Sequence, residues 1–150
     1  MDREIRIALH QMNYTTGDFE GNFLSTRASI AANADAHIHV LPECAVTNYP
    51  SDDLYLDKGF IAKAAEYCGR YRELSAEMRT TIVVGSPVDT GGSKPCNGLL
   101  VYRDGQEVLR YNKTHLPNYG VFDDVRWFES RLGQHGKDRW ILPPRVRGRR

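Results

Sequence analysis

Short apolar runs separated by turn-forming residues predict three strands in the first part of the chain. Residues 5–10 (IRIALH) alternate isoleucine and leucine with polar or small residues, which is the period-two pattern of a strand. Residues 37–41 (HIHVL) predict a short buried strand that ends at Pro42, because proline lacks the N–H that a sheet ladder needs. Residues 81–85 (TIVVG) predict a third strand, and we expect Gly85 to end it.

Apolar residues at helical spacing occupy the two intervals between these strands. Asp18 follows a run of turn residues and is a suitable N-cap, so the first helix should begin directly after it. The apolar face of this helix is predicted to contain Phe19, Phe23, Ile30 and Ala34. A second helix is predicted from about Lys58 to about Met78, with an apolar stripe formed by Ile61, Ala64, Ala65, Cys68 and Tyr71.

The next segment has the pattern of a β-hairpin. The run NGLLVY at 97–102 predicts a strand, and Asp104-Gly105 is a strong signal for a tight turn. The run EVLRYNK at 107–113 should therefore return antiparallel to the preceding strand. The predicted order is βαβαβ followed by a hairpin, which indicates an α/β fold with helices covering a sheet.

Composition excludes several classes of protein. Hydrophobic residues make up 41% of the 150 residues and charged residues 26%, which excludes a disordered chain, a collagen-like chain and a coiled coil. No window has the roughly 18 uninterrupted apolar residues of a membrane helix. The N-terminus lacks the basic-then-apolar layout of a secretory signal, so we expect a cytoplasmic protein.

Charged residues follow predicted strands at the positions where α/β sheets place their ligand sites. Glu43 comes two residues after one predicted strand, and Lys113 ends the returning hairpin strand. A carboxylate and a lysine that face each other can act as a general base and as a cation that stabilises an oxyanion. The alternative is a structural ion pair or two surface charges, which is the commoner outcome for residues chosen by position alone.

Three longer segments resemble one known family. Residues 5–22 (IRIALHQMNYTTGDFEGN) are similar to the opening of the nitrilase-like carbon–nitrogen hydrolase domain, the glutaminase, of glutamine-dependent NAD synthetases. Residues 41–54 (LPECAVTNYPSDDL) resemble the segment that carries the catalytic glutamate of that family. Residues 111–128 (YNKTHLPNYGVFDDVRWF) resemble the segment with its catalytic lysine, and HLPNYGVFD is specific for the NAD synthetase branch.

The resemblance implies a fold and a set of roles. The fold would be an incomplete nitrilase-like αββα sandwich. Glu43 would be the general base, Lys113 would support the tetrahedral intermediate, and Tyr119 would line the glutamine pocket. In the family, a cysteine thiol attacks the side-chain amide of glutamine, and the released ammonia passes to a separate synthetase domain. ATP and deamido-NAD would bind to that domain, so we expect no cofactor in this chain.

The chain departs from the family at the nucleophile. No segment resembles the family's G-V-x-I-C-E-D, and Asp124 stands where the family has glutamate. Cys44, Cys68 and Cys96 are each expected to be buried structural residues. We therefore expect a fragment that is inactive alone, although its role as an enzyme stays open. The alternatives are a non-enzymatic remnant or interaction module, and an amidase of the same group that acts on another amide.

Other motifs favour structural roles. His37 and His39 alternate along one strand, but no third ligand lies nearby in the sequence, so we expect no metal site. Residues 90–94 (TGGSK) lack the full phosphate-loop pattern and predict a turn.

Glutamine is the ligand that the resemblance implies, and we expect neither a membrane nor a nucleic-acid partner. Missing strands should leave apolar sheet surface exposed, so a homo-oligomer is expected through that surface.

The charge distribution divides the chain near residue 128. Residues 131–150 hold seven of the 20 basic residues and one of the 19 acidic residues. We therefore predict a partial carbon–nitrogen hydrolase domain at 1–128 and a basic, disordered tail at 129–150. The tail is alternatively a patch for nucleic acid or an anionic surface, or the product of a shifted reading frame. We hypothesise the frameshift, which predicts a cysteine-bearing strand or further family likeness in another frame of the coding DNA. Absence of both would reject it.

Overall fold

The computed structural model describes residues 4–130, so most of the predicted tail lies outside the described residues. The elements in this part of the chain confirm the predicted order. They are β1 (Ile7–Leu9), α1 (Phe19–Ala32), β2 (Ile38–Val40), α2 (Lys58–Glu77), β3 (Thr81–Val88), β4 (Cys96–Arg103), β5 (Gln106–Asn112) and α3 (Asp124–Trp127), with a 3-10 helix at Asp52–Leu56. The sequence did not predict the 3-10 helix or α3.

Within residues 4–130, the strands form one mixed sheet whose spatial order is the chain order, β1-β2-β3-β4-β5. Strands β1, β2 and β3 pair in parallel, and a helix lies between each strand and the next along the chain. The last three pair antiparallel, and the predicted hairpin turn has positive φ at both Asp104 and Gly105. Positive φ at both central residues is typical of a tight two-residue hairpin turn.

Aspartate side chains fix the starts of the two long helices. The Asp18 side chain accepts a 2.9 Å hydrogen bond from the backbone N–H of Gly21, which confirms the predicted cap of α1. Asp57 caps α2 in the same way, through the N–H of Phe60 at 2.7 Å. Helix α1 ends two residues before Ala34, which is exposed in the following turn and is not part of the predicted apolar face. Among residues 4–130, no helix has the length and apolar character needed to cross a membrane.

The core lies between the two long helices and one face of the sheet. Edge-to-face contact between Phe23 of α1 and Tyr71 of α2, with ring centroids 5.1 Å apart, joins the helices. The sheet contributes Ile82, Val84 and Leu100, each at most 2% exposed. Burial of these apolar side chains is the main force that holds the helices on the sheet.

The opposite face of the sheet is apolar and exposed. We call it the apolar sheet face; its cross-strand pairs include Ile7 with Ile38, Leu9 with Val40, and Leu99 with Tyr111. Ile7 is 56% exposed and Leu9 is 76% exposed, although both were predicted as apolar positions of a strand. This face therefore presents apolar side chains to solvent, of which Ile7 and Leu9 are the most exposed.

A network of imidazoles lies between α1 and the sheet. The Nε2 atom of His10 is 2.9 Å from Nδ1 of His39, and Nδ1 of His10 is 2.8 Å from the hydroxyl of Ser29 on α1. Both rings are buried, and burial lowers the pKa of each. The neutral charge state of both imidazoles is therefore favoured in the folded chain.

The predicted end of the third strand at Gly85 is wrong, because β3 continues to Val88. Gly85 has a different role: a Cβ atom there would lie 2.4 Å from the backbone N of Cys44 and 2.8 Å from the carbonyl O of Pro42. The glycine lets the turn after β2 cross directly over the strand. This close approach sets the position of the turn that contains Glu43.

Replacing Gly85 with alanine should destabilise the chain. The added methyl group has to displace the backbone of residues 42–44, so we expect the free energy of unfolding to fall by about 1–3 kcal/mol. Urea unfolding followed by circular dichroism measures the change. Gly69→Ala is the matched control, because Gly69 lies within α2 and has no atom within 4 Å of the new methyl. It should stabilise the chain by about 0.5–1 kcal/mol, and a loss of stability in Gly69→Ala equal to that in Gly85→Ala would contradict this account.

Candidate active site

The structure brings the predicted pair together. Glu43 lies in the turn after β2, and Lys113 directly follows β5. The Lys113 ammonium is 2.9 Å from Oε1 of Glu43. The backbone N–H of Lys113 also donates to the carbonyl of Asn97 at 2.8 Å, which continues the β4–β5 ladder and fixes the base of the lysine side chain.

A second carboxylate contacts the same ammonium. Lys113 Nζ is 2.8 Å from Oδ2 of Asp124, whose side chain is fully buried. The other oxygen of Asp124 accepts a 2.6 Å hydrogen bond from the hydroxyl of Tyr49. Burial, followed by the hydrogen bond and the negative charge of Asp124, raises the pKa of the Tyr49 hydroxyl, so Tyr49 remains a proton donor to this carboxylate.

The two carboxylates keep Lys113 charged. Partial burial alone would lower the pKa of the ammonium, but hydrogen bonds and charge interactions with Asp124 and Glu43 outweigh burial and raise it. At neutral pH the lysine is therefore a cation and not a base. A positioned cation of this kind can stabilise negative charge that develops on a carbonyl oxygen.

Asn97 of β4 holds the carboxylate of Glu43 from the other side. Its Nδ2 donates to Oε1 of Glu43 at 2.6 Å, while its Oδ1 is 3.7 Å from the thiol sulfur of Cys44. Both donors to Glu43, Asn97 and Lys113, bind the same oxygen. These contacts leave the Oε2 atom of this half-exposed carboxylate available to accept a proton from an incoming group.

The site opens into a cavity of about 240 Å³. Apolar side chains and backbone form most of its wall, and the polar groups are concentrated at Glu43, Asn97 and Lys113; the complete lining is Leu41, Pro42, Glu43, Gly85, Asn97, Gly98, Leu99, Tyr111 and Lys113. An apolar cavity with a few convergent polar groups is typical of a small-molecule site. Because Leu99 and Tyr111 belong to the apolar sheet face, the cavity lies beside that face.

The structure leaves the predicted role of Tyr119 untested. Its side chain is 71% exposed, and its ring makes an edge contact with Phe122 at a centroid distance of 5.7 Å. It does not belong to the lining of the cavity described above. The assignment of Tyr119 to substrate binding stays a prediction.

All three cysteines are buried, as predicted for structural residues. Burial raises the pKa of the Cys44 thiol to about 12, so almost none of it is thiolate at neutral pH. Cys44 lies in the turn after β2, with φ of 48°. Cys68 lies on the buried side of α2, where burial raises its thiol pKa. Cys96 is the first residue of β4.

The histidines near β2 do not form a metal site. His37 is exposed, and its Nδ1 accepts a hydrogen bond from the backbone N–H of Arg6, whereas His39 is buried against His10. Within residues 4–130, no three His, Cys, Asp or Glu side chains are grouped as metal ligands.

Three contact residues of the site were not predicted as functional. Asn97 binds Glu43 from a position 54 residues away in the chain, and Tyr49 binds Asp124 from 75 residues away. Local sequence patterns carry no signal for such contacts. Asp124 had one signal, since it stands where the resembling family has glutamate. The structure places this carboxylate on the catalytic lysine candidate.

The chain is similar in sequence and in fold to known proteins. The sequence model of the carbon–nitrogen hydrolase family matches residues 6–144. A glutamine-dependent NAD(+) synthetase from Thermotoga maritima is 32% identical over 129 residues, which is 85% of this chain and 22% of the relative. The crystal structure of a glutamine-dependent NAD(+) synthetase from Cytophaga hutchinsonii aligns with a TM-score of 0.76 at 30% identity, over 87% of this chain and 22% of that one.

An amidase of the nitrilase superfamily from Nesterenkonia shares the fold, with a TM-score of 0.69 at 20% identity over 84% of this chain and 48% of the amidase. These alignments confirm the predicted nitrilase-like α/β fold. This chain spans about a quarter or less of the length of the NAD synthetases that it matches. The family match passes residue 128, and the predicted domain boundary there stays a prediction. A match over most of the sequence, with the paired glutamate and lysine in place, shows that the chain belongs to the carbon–nitrogen hydrolase family.

Proposed function

We propose that this chain supplies the base and the cation of a site that hydrolyses the side-chain amide of glutamine. The observation that carries the proposal is the 2.9 Å contact between Lys113 and Glu43 at the wall of a small apolar cavity. The similarity to glutamine-dependent NAD(+) synthetases supports glutamine as the amide. The relatives support the choice of glutamine as substrate, and the geometry of the site supports amide hydrolysis as the reaction.

The proposed reaction uses both charged groups. Glu43 accepts the proton of an attacking thiol, and a bond forms between sulfur and the amide carbon. The Lys113 ammonium stabilises the oxyanion of the tetrahedral intermediate. Glu43 then returns its proton to the amide nitrogen, so that ammonia leaves and a thioester remains. Water attacks the thioester, with Glu43 as base, which releases glutamate and the thiol.

We propose that the chain does not complete this reaction alone. Its three thiols are buried, and the Cys44 thiol has a pKa of about 12. A nucleophile from outside residues 4–130 is therefore required. The ammonia acceptor deamido-NAD and the ATP that activates it are assigned to the synthetase portion of the relatives, and Tyr119 is assigned to the glutamine pocket.

A second candidate function is self-association. The apolar sheet face exposes Ile7, Leu9, Leu99 and Tyr111 on one side of the sheet, while the helices cover the other side. Exposed apolar patches of this kind indicate an interaction surface. A second copy of the chain provides the same twisted apolar surface, and two such sheets can pack face to face in the aligned arrangement of a sandwich. We propose a homodimer through this face.

A chimera tests the catalytic roles. Residues 6–128 of this chain would replace the matching segment of the Thermotoga maritima relative, and ammonia release from glutamine would be measured. We expect the chimera to be active, and Glu43→Gln and Lys113→Ala to lower its rate by at least about 100-fold. Glu66→Gln is the control, because Glu66 pairs only with Lys63 on the surface of α2 among the described contacts. A folded chimera that is inactive, or a Glu43→Gln variant with the full rate, would overturn the proposal.

The isolated chain should release no ammonia above the background of its own Glu43→Gln variant, because its thiols are buried. The same assay measures this rate on the purified chain. A parent rate clearly above that of Glu43→Gln would show that one of the three cysteines serves as nucleophile, and would contradict the proposed inactivity.

Light scattering over a dilution series tests the dimer. The parent chain should show twice the monomer mass at high concentration, and Leu9→Lys should be monomeric because a charge replaces a 76% exposed side chain on the apolar sheet face. Leu24→Lys is the matched control: Leu24 is also exposed but lies on α1, away from this face. A monomeric parent at every concentration, or equal dissociation by both variants, would exclude this interface.

A further inference from the structure

The turn predicted at residues 90–94 holds a carboxylate. Oε1 of Glu129 accepts hydrogen bonds from the backbone N–H of Ser93 at 2.8 Å, from the Ser93 hydroxyl at 2.7 Å and from the N–H of Lys94 at 3.2 Å. We call these three donors the carboxylate cradle. Hydrogen bonds from the Ser93 side chain and from the backbone of Ser93 and Lys94 lower the pKa of Glu129, so the bound group is a carboxylate at neutral pH.

The cradle fits its occupant closely. A Cβ atom at Gly92 would lie 2.1 Å from Oε2 of Glu129, so only glycine leaves room for the carboxylate at this position. The backbone N–H of Glu129 donates to the carbonyl of Pro95 at 2.9 Å. Lys94 Nζ donates to the carbonyl of Val125 at 2.8 Å. The loop therefore holds the segment 125–129 through the Glu129 side chain, through its backbone and through the carbonyl of Val125.

This segment positions the buried carboxylate of the site. Asp124 begins α3, a helix of four residues that is too short to be stable by itself. Its far end is held by the packing of Phe128 against Tyr55, with ring centroids 4.6 Å apart, and by the bonds of Glu129 to the loop. Asp124 is also bound directly, through its backbone N–H to the carbonyl of Pro117 at 3.1 Å and through its side chain to Tyr49. The contacts made four and five residues further along the chain hold the other end of the same short helix in place.

We propose that Glu129 is a positioning residue, whose carboxylate, bound in the cradle, holds Asp124 against Lys113 and thereby sets the lysine beside Glu43. The proposal rests on the proposed function for the chemical role of Lys113, but the positioning itself is a property of the described contacts. If Glu129 had only a structural role, its removal would lower the stability of the chain and leave the environment of Lys113 unchanged.

The reactivity of the Lys113 amine reports its environment without an activity assay. An acylating reagent modifies only the neutral amine, and mass spectrometry measures the labelling of Lys113 relative to that of Lys63 on the surface of α2. With Glu129→Ala, loss of Asp124 from its place would remove one of the two carboxylates that keep Lys113 protonated. We expect Lys113 labelling to rise by about tenfold, which corresponds to a fall of about one unit in the pKa of the amine.

Matched variants separate positioning from general loosening. Asp124→Asn should raise Lys113 labelling at least as much as Glu129→Ala, because it removes the same charge directly. Glu77→Ala removes a surface carboxylate that pairs with Arg27, and should leave the labelling of Lys113 relative to Lys63 unchanged.

Unchanged labelling of Lys113 would contradict the positioning role of Glu129. Lys113 labelling in Glu129→Ala at the parent level, with an increase in Asp124→Asn, overturns the positioning role and leaves the proposed function intact, since the chimera assay tests that function separately. If Glu129→Ala unfolds and labels all lysines, Ser93→Ala decides, because it removes one donor of the cradle. A smaller increase confined to Lys113 supports the proposal, and no increase overturns it.

Discussion

One ammonium group joins three separate parts of this chain. Lys113 follows the last strand of the sheet, Glu43 lies in the turn after β2, and Asp124 begins the last described helix. A fully buried carboxylate such as that of Asp124 is costly unless a cation and hydrogen-bond donors compensate it. Lys113 and Tyr49 provide that compensation. The contacts that would serve amide hydrolysis are therefore the contacts that hold the loops on the sheet.

The position of Glu43 depends on the backbone more than on its own side chain. Gly85 lets the turn after β2 lie directly on β3, and the amide of Asn97 orients the carboxylate from β4. A carboxylate held by contacts from two strands is more precisely placed than one on a free loop. The cavity of about 240 Å³ is lined by the carboxylate of Glu43, the side-chain amide of Asn97 and the ammonium of Lys113.

The regular elements could be predicted from the sequence, and the irregular contacts could not. Alternating or helically spaced apolar residues, with caps at Asp18 and a turn at Asp104-Gly105, predicted the strands, the long helices and the hairpin. Gly85 was misinterpreted because a strand end and a close backbone approach both select glycine, and the sequence does not separate them.

The candidate site was predictable in part. The pairing of Glu43 with Lys113 followed from the strand-end rule and from the family resemblance. The 3-10 helix at Asp52–Leu56 and helix α3 lie in segments without apolar periodicity, so neither was predicted. The contacts of Asn97 and Glu129 are set by the meeting of distant loops, which no local pattern encodes.

The buried pair of imidazoles links proton uptake to the attachment of α1. Burial lowers the pKa of both His10 and His39 in the folded chain, whereas the unfolded chain titrates near the ordinary histidine value of about 6.5. Below that pH the unfolded state binds protons that the folded state does not bind, so this contribution to stability is present in neutral solution and declines as the solution becomes acidic. The seam between the first helix and the sheet is thus an acid-sensitive element of a molecule whose catalytic lysine candidate stays charged throughout the same range.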